Sequence, residues 1–457
     1  MNRLQGEQYR HKPDMNIALL AICLGYFMVI LDTTIVNVAL LNMQHELGAT
    51  VIGLQWTVDG YTLVFASLLL TAGALGDRLG SKRIFLVGLL LFTSASALCG
   101  MAPTLIILEV MRVVQGVGAA LLVPGSLSLL SQIFSTQKER ARAIGVWGGI
   151  GGIAALAGPV LGGFLVNTWG WRSVFFVNVP VGLSGFVLTL WFVRDTPVSM
   201  SRGLDVLAQC IAIVALGSLT FACIEGSPFG WFSPLILTVF MLFIVMALAF
   251  VFFERHTIAP MLPLRVFSVP AFSAGTLVGL LLNFGFYGQL FLLSLFFQQI
   301  KGYSPLLTGL ALLPETGMAM FASTLAGRVT GRVGPRWPMM IGLSIGATGL
   351  FLMLFVGIRT PYVLLCSLLI AIGFGTAFTM PAMTAAVVEA TPKTYTGIAA
   401  AVLNASRQMG SVLGVAILGA LIDKQQFFVE EMHLALCIAG GAFLLGLILS
   451  LVWVKTA

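Results

Sequence analysis

The sequence is poor in charge. Only 9% of its 457 residues are Asp, Glu, Lys or Arg, whereas 58% are hydrophobic and the mean hydropathy is +1.02. Soluble globular chains carry about 25% charged residues, so this composition excludes a soluble globular protein. The longest hydrophilic stretches are the N-terminal segment and the loop before Ala271. We therefore expect no soluble domain.

Cysteine and histidine are also scarce. The six cysteines lie singly in apolar stretches, and the four histidines lie in terminal segments or loops without ligand spacing. Disulfide frameworks and metal sites need closer, patterned spacing, so we expect no metal and no cofactor. A nucleophile motif and a phosphate-cradling loop beside a strand are missing too, which argues against a membrane enzyme and against direct use of ATP.

Long apolar runs dominate the sequence. A membrane-spanning helix needs roughly 20 mostly apolar residues, and the sequence contains fourteen such stretches. The first, Asn16–Leu41, is too long and too polar for a cleaved signal peptide. These stretches predict an all-α polytopic membrane protein embedded in a lipid bilayer.

The 24 lysines and arginines against 17 acids give a net charge of +7, and their distribution sets the orientation. With both termini placed in the cytoplasm, eighteen bases fall inside: Arg3, Arg10, Lys12, Arg78, Lys82, Arg83, Lys138, Arg140, Arg142, Arg194, Arg202, Arg255, Arg265, Arg328, Arg332, Arg336, Lys393 and Lys455. Four fall in outer loops, namely Arg172, Lys301, Arg359 and Lys424. This positive-inside bias predicts cytoplasmic termini and an even number of spans, and it excludes a nucleic-acid partner.

A short basic turn occurs twice. GALGDRLGSKR spans Gly73–Arg83, and a weaker copy, GRVTGRVGPR, spans Gly327–Arg336. In the alignment of the two, Asp77 falls on Gly331, so the second copy lacks the acid. Two related halves with basic turns on the same side are typical of a transporter that rocks around a central site.

The first copy of the turn combines three kinds of residue. Its glycines permit a tight reversal, its acid can accept hydrogen bonds from a helix N-terminus, and its bases anchor the cytoplasmic face. In order they are Gly73, Gly76, Asp77, Arg78, Gly80, Lys82 and Arg83. An ordinary positive-inside loop would explain the bases alone, whereas the combined spacing favours a cytoplasmic gate.

A glycine-rich helix is predicted at GGIGGIAALAGPVLGG, Gly148–Gly163. Small residues let helix backbones pack closely in a membrane, and a proline bends the helix locally. The residues concerned are Gly158, Pro159, Gly162 and Gly163. Tight packing alone is the alternative explanation of this pattern.

Two opposite charges lie at matching depth in the first half. With a rise of roughly 1.5 Å per residue, Asp32 lies about 13 Å below the outer boundary and Arg112 about 12 Å below it. We predict that the two interact. Burial favours a protonated carboxyl and a nearby arginine favours a charged one, so Asp32 is the leading proton-binding carboxylate. The alternative is a static polar link between two helices.

A second pair is predicted in the other half, where Glu315 and Arg407 both lie near the midplane. Glu315 would either neutralise a cationic substrate or hold the bundle together through Arg407. Asp59 and Glu109 lie nearer the outer ends of their helices, on a possible exit path for a cation. For Glu109, a position three residues before Arg112 on the same helix face is the simpler explanation.

Aromatic residues make up 11% of the chain, and most must face lipid or pack between helices. Six flank the acids or a glycine-rich segment and are candidates to line a pocket for organic cations, which bind well to aromatic faces. They are Tyr26, Trp56, Tyr61, Phe284, Phe286 and Tyr287.

Taken together, the motifs resemble the major facilitator superfamily along essentially the whole chain. The basic turn is similar to the signature loop of that family, and RVVQGVGAALLVPG (Arg112–Gly125) to its intramembrane-arginine motif. The glycine-rich helix resembles the antiporter motif of exporters. LDTTIVNVAL (Leu31–Leu40) and WGWRSVFFVNVPVG (Trp169–Gly182) are similar to the fourteen-helix drug–proton antiporter branch, although Leu41 stands where that branch has a proline.

The resemblance implies two six-helix bundles with two inserted helices. Residues 1–15 would form the cytoplasmic N-terminus, 16–194 the first bundle, 195–254 the insertion, 255–270 a cytoplasmic linker and 271–457 the second bundle. It also implies a multi-pass protein of the bacterial inner membrane. Its expected activity is proton-coupled export of lipophilic, mainly cationic drugs, dyes and quaternary ammonium compounds.

Other functions stay open at this point. The same fold could serve as a dedicated exporter of an endogenous metabolite, lipid or antibiotic. A sensor or structural membrane protein would not need acids at midplane depth. The short loops do not indicate a periplasmic adaptor, although one could dock on them.

Overall fold

The computed structural model describes residues 15–134, 136–195, 205–257, 262, 264–392, 396–422 and 427–454. The N-terminal segment and parts of the two predicted linkers lie outside these ranges. So do seven of the bases that were used to assign the orientation, namely Arg3, Arg10, Lys12, Arg202, Lys393, Lys424 and Lys455.

Fourteen helices in the described ranges are long and apolar enough to span a membrane, which confirms the predicted number. They are α1 Met15–Leu47, α2 Val51–Leu79, α3 Ser81–Gly100, α4 Leu105–Ile133, α5 Gln137–Trp169, α6 Ser173–Phe192, α7 Val206–Phe229, α8 Pro234–His256, α9 Pro270–Ile300, α10 Pro305–Val333, α11 Arg336–Phe355, α12 Tyr362–Glu389, α13 Ile398–Gly419 and α14 Phe428–Trp453. No strand occurs among the residues that the structure describes.

Each of the two basic turns contains a glycine with a positive φ. Gly80, between α2 and α3, has φ 92°, and Gly334, between α10 and α11, has φ 78°. Side chains with a Cβ rarely adopt such angles, whereas glycine does so at little cost. The two glycines are aligned in the sequence repeat, so the repeat corresponds to a shared turn.

Helix α1 is longer than predicted. Its outer end lies at Leu47, six residues beyond Leu41, and Gly48 follows with φ 63°. Leu41 stands where the related branch has a proline. Leucine keeps the backbone N–H that proline lacks, so the helix continues past this position.

The packing of the first six helices is repeated by the last six. In the first half α1 packs against α5 and α6, and α4 packs against α2 and α3. In the second half α9 packs against α13 and α14, and α12 against α10 and α11. Each helix thus has an equivalent eight positions later, which leaves α7 and α8 as the insertion between two six-helix bundles.

The inserted helices pair with each other, and α7 also packs against α2 and α13. Gln209 of α7 donates a hydrogen bond to the Ser67 carbonyl of α2 over 2.8 Å. Helix α8 is apolar on nearly all sides and little buried by the protein. A helix of this kind is stable where lipid covers it, so α8 lies at the outside of the bundle.

The two halves meet at their outer ends. Gln55 of α2 donates to the carbonyls of Val415 and Ala416 of α13, each over 2.9 Å. Ser294 of α9 donates to the Asn37 carbonyl of α1 over 2.7 Å. These bonds join uncharged groups, and one continuous apolar core with residues from both halves surrounds them.

Helices α5 and α10 complete the outer closure through glycines. A Cβ on Gly309 would lie 2.0 Å from the Pro159 carbonyl oxygen, and a Cβ on Gly163 would lie 2.5 Å from that of Pro305. Such distances are possible only without a side chain. The glycines of the antiporter-like segment therefore lie at the interface between the halves.

Towards their cytoplasmic ends, several glycines of the same helices have no close neighbour. A Cβ on Gly145, Gly148, Gly149 or Gly152 of α5 would meet no heavy atom within 4 Å, and the same holds for Gly327 of α10. Apart from the large core that both halves share, the smaller apolar clusters around Phe85 and Phe378 draw their buried members from one half each. The closest contacts between the halves thus lie at their outer ends.

The close contact at Gly309 predicts how the closed outer side responds to a small side chain. Gly309→Ala places a methyl group against backbone, and overpacking of this kind costs about 1–3 kcal/mol. The distance between spin labels on Thr168→Cys and Leu307→Cys, with Cys210, Cys366 and Cys437 replaced by serine, should shift to longer values.

Gly152→Ala is the matched control, because its methyl group would enter open space. It should leave the distance distribution unchanged. Equal distributions for Gly309→Ala and the unmodified protein would contradict this account of the closure.

Candidate functional site

A buried ion pair lies at the centre of the first half. Arg112 of α4 donates from Nη1 to Oδ2 of Asp32 on α1, and both side chains are at most 1% exposed. The other oxygen of Asp32 accepts bonds from Gln115 over 2.9 Å and from Asn178 of α6 over 3.3 Å. The contact predicted from equal depth is therefore present.

The arginine is held on its remaining sides. Its Nε donates to the Thr57 carbonyl of α2 over 2.9 Å, and its Nη1 also donates to Gln115 over 2.8 Å. The guanidinium carbon lies 4.2 Å from the ring centre of Tyr61. Because Asn178 also bonds Ser96 of α3 over 3.1 Å, the network joins α1, α2, α3, α4 and α6.

This network has a chemical property that a plain salt bridge lacks. Ionised groups are stable in an apolar interior only when they are paired and fully hydrogen-bonded, and here a single carboxylate receives three donors. A proton on Asp32 would cancel the charge that holds Arg112. The network is therefore a candidate proton-binding switch.

Sequence reasoning missed Gln115 and Asn178. Gln115 follows Arg112 by three residues, which places both on one helix face, so that signal was present. Asn178 lies in the motif WGWRSVFFVNVPVG, but only the fold reveals that α6 brings it beside Asp32.

Asp59 is fully buried in α2, and neither of its carboxyl oxygens accepts a hydrogen bond from a described residue. Burial of an unpaired carboxylate is unfavourable, which makes Asp59 a second candidate for proton binding. Glu109 of α4 is half-buried and close enough to Glu225 of α7 for electrostatic interaction. Glu225 in turn accepts a hydrogen bond from the Trp56 indole over 2.9 Å.

The predicted pair of Glu315 and Arg407 is wrong. Glu315 of α10 is 1% exposed and accepts a hydrogen bond from Gln289 of α9. No described carboxylate lies within salt-bridge distance of Arg407. An equal depth of two residues in the membrane does not show in which direction their side chains point or which helices are neighbours. In the structure, α9 supplies the partner of Glu315.

The aromatic candidates fall into three groups. Tyr61 and Phe284 are buried in the helix packing, and their role in a pocket stays a prediction. Trp56 lies at the outer end of α2 with Glu225. Tyr26, Phe286 and Tyr287 are half-buried near the middle of α1 and α9, where the halves face each other.

The cytoplasmic turn is tied to the first bundle. Lys82 lies 3.4 Å from the carboxylate of Asp195, beyond the end of α6, and donates to the Leu190 carbonyl over 3.3 Å. Asp77 and Arg78 are half-buried, and Arg83 is exposed.

The antiporter-like segment of α5 packs against α1 close to the ion pair. A Cβ on Gly158 would lie 1.9 Å from the Thr34 hydroxyl oxygen, and a Cβ on Gly162 would lie 2.7 Å from Ile35. Asp32 is two residues from Thr34 on the same helix. The carboxylate and the interface between the halves are thus neighbours.

Comparisons with known proteins give consistent matches. The family model described as Major Facilitator Superfamily matches residues 22–322 and 276–457. The chain is 37% identical over 441 residues to the methylenomycin A resistance protein of Bacillus subtilis (strain 168), covering 96% of this chain and 94% of that protein. It is 37% identical over 418 residues to the multidrug resistance protein Stp of Mycobacterium tuberculosis (strain CDC 1551 / Oshkosh), covering 92% and 78% respectively.

Among solved structures, the crystal structure of the peptide transporter POT in complex with sulfate has a TM-score of 0.71. It is 15% identical, and the match covers 94% of this chain and 93% of that one. At this identity the likeness concerns the fold.

The buried pair predicts a large effect on stability. Asp32→Asn leaves the charge of Arg112 buried without its partner, which should lower the free energy of unfolding by about 3–5 kcal/mol. The measurement is unfolding by SDS titration in mixed micelles. Asp32→Asn combined with Arg112→Gln should cost less than the sum of the two single changes.

Glu46→Gln is the control, because it removes an ion pair with Arg172 in which both side chains are partly exposed. It should cost less than about 1 kcal/mol. Similar losses for Asp32→Asn and Glu46→Gln would contradict the assignment of the inner pair as the central contact.

Proposed function

The chain belongs to the Major Facilitator Superfamily, and we propose that it is a proton-coupled antiporter that exports lipophilic drugs by alternating access. As a member of this family it is a secondary active transporter rather than an enzyme. It is a multi-pass protein of the bacterial plasma membrane.

The main support for this proposal is the complete burial of the Asp32 side chain. Its side chain is 0% exposed in a structure whose halves are closely packed at their outer ends, so a proton gains access only when the helices move. This is the behaviour that antiport requires, because an ion that reached its site in every state would leak without driving substrate.

Coupling would run along α1. Protonation of Asp32 from the outside would weaken its bond to Arg112, and the adjacent Thr34 and Ile35 form the contact with α5. A change at the carboxylate is therefore transmitted to the outer closure within one helical turn. The turn around Asp77 would then reset the cytoplasmic gate.

The substrate enters from the cytoplasm or from the inner leaflet of the bilayer. The preference for cationic compounds stays a prediction, because Asp32, Asp59 and Glu315 are each at most 1% exposed in this state. The names of two relatives, a multidrug resistance protein and a resistance protein for methylenomycin A, support export of drugs as a class.

The alternative is a dedicated exporter of one antibiotic, metabolite or lipid on the same fold. The relative named for a single antibiotic favours it. In both cases the partners are a small molecule, protons and the lipid bilayer. No nucleic-acid partner is proposed, and a periplasmic adaptor is not indicated.

Efflux by cells that lack their own pumps tests both proposals. Ethidium and methylenomycin A are measured separately, with and without a protonophore. We expect protonophore-sensitive efflux by the unmodified protein and background efflux by Asp32→Asn at equal membrane abundance. Efflux of methylenomycin A without ethidium would favour the dedicated exporter.

Glu430→Gln is the matched acid-to-amide control, since Glu430 is exposed at the start of α14. Substrate counterflow in proteoliposomes needs no net proton movement and should persist in Asp32→Asn. Counterflow that persists would show that Asp32→Asn is folded and that only its proton coupling is lost. Full proton-driven efflux by Asp32→Asn would overturn the role of this carboxylate.

A further inference from the structure

Arg407 of α13 is the one basic side chain deep within the described helices that lacks an acidic partner. Arg112, the other, is sealed by Asp32. Arg407 is half-buried. Its Nη atoms reach only Asn404 Oδ1 and the Met380 sulfur, each at 3.4 Å, and its Nε has no partner among the described residues.

The position of Arg407 is fixed by its packing on α9. Asn283 donates to the Arg407 carbonyl over 3.0 Å, and a Cβ on Gly279 would lie 3.1 Å from Arg407 Cγ. Next along α13, a Cβ on Gly410 would lie 2.1 Å from the Leu280 carbonyl oxygen. The backbone and the stem of the arginine are thereby held, whereas the end of the side chain is not neutralised.

Aromatic rings from both halves lie near this guanidinium. Tyr287 lies one helical turn beyond Asn283, which bonds the Arg407 carbonyl. Ala405, two residues before Arg407, packs against the same apolar cluster as Tyr26 and Trp147. Tyr26 is stacked on Trp147 of α5, with ring centres 3.7 Å apart. All three rings are half-buried.

We propose that Arg407, with Tyr26, Trp147 and Tyr287, forms a binding site for small lipophilic organic acids. The guanidinium presents a planar fork of donors that matches a carboxylate, and bonds between charged groups are stronger than neutral ones. The aromatic side chains supply an apolar surface for the ring of the substrate. This inference rests on the proposed export function and names a substrate class for it.

Three probes with one ring system test the charge preference. Binding of 2-naphthoate, 2-naphthamide and 2-naphthylmethylammonium to the purified full chain is measured by titration calorimetry at constant salt. The unmodified protein should bind 2-naphthoate at least about tenfold more tightly than 2-naphthamide, as expected for a hydrogen bond to a charged group. Tightest binding of the ammonium probe would overturn the proposal.

Arg407→Gln should weaken 2-naphthoate binding at least about tenfold and leave 2-naphthamide binding unchanged, which also shows that the variant is folded. Arg328→Gln, at an exposed cytoplasmic position of α10, should change neither. If Arg407→Gln does not fold, Arg407→Lys serves instead, and it should still prefer 2-naphthoate. A carboxylate preference that survives in Arg407→Gln, or equal binding of both probes by Arg407→Lys, would overturn the proposal.

Flux of 2-naphthoate in proteoliposomes is measured separately. A preserved binding preference without flux would count against export and in favour of the binding site. Proton-driven flux of 2-naphthamide without any carboxylate preference would support export and refute the site.

Discussion

The ion pair between Asp32 and Arg112 joins helices that otherwise share mainly apolar contacts. In a membrane the hydrophobic effect does not drive helices together, so close packing and buried polar bonds specify their arrangement. One carboxylate with three donors connects five of the six helices in the first half. Any change in its charge must therefore be accommodated by the whole bundle.

The two halves repeat the same helix packing but differ in their charges. The first half encloses a complete network around Asp32, whereas the second holds Glu315 with an amide and Arg407 without an acid. The basic turn of the second half likewise lacks an acid, because Gly331 stands where the first half has Asp77. This asymmetry agrees with the proposed roles, in which the first half binds the proton and the second half supplies the charged group for the substrate.

Much of this organisation could be predicted from the sequence, since apolar length and the placement of lysine and arginine depend on the membrane itself. Equal depth was enough to pair Asp32 with Arg112 but misled for Glu315, because the sequence gives depth along a helix and not the neighbour across it. The same limit applies to Tyr61. Its position near an acid in the sequence did not reveal that its ring packs against the guanidinium of Arg112. Leu41 was informative, since the missing proline explains the longer α1.

The outer closure is built from amides, hydroxyls and backbone carbonyls, as at Gln55 and Ser294. Dissolved ions screen interactions between exposed charges over about 10 Å at 0.1 M salt, but they have little effect on hydrogen bonds between neutral groups inside an apolar core. The exterior of a bacterium varies widely in salinity, whereas its cytoplasm is regulated. We therefore expect a closure of this composition to respond little to the salt content of the surrounding medium.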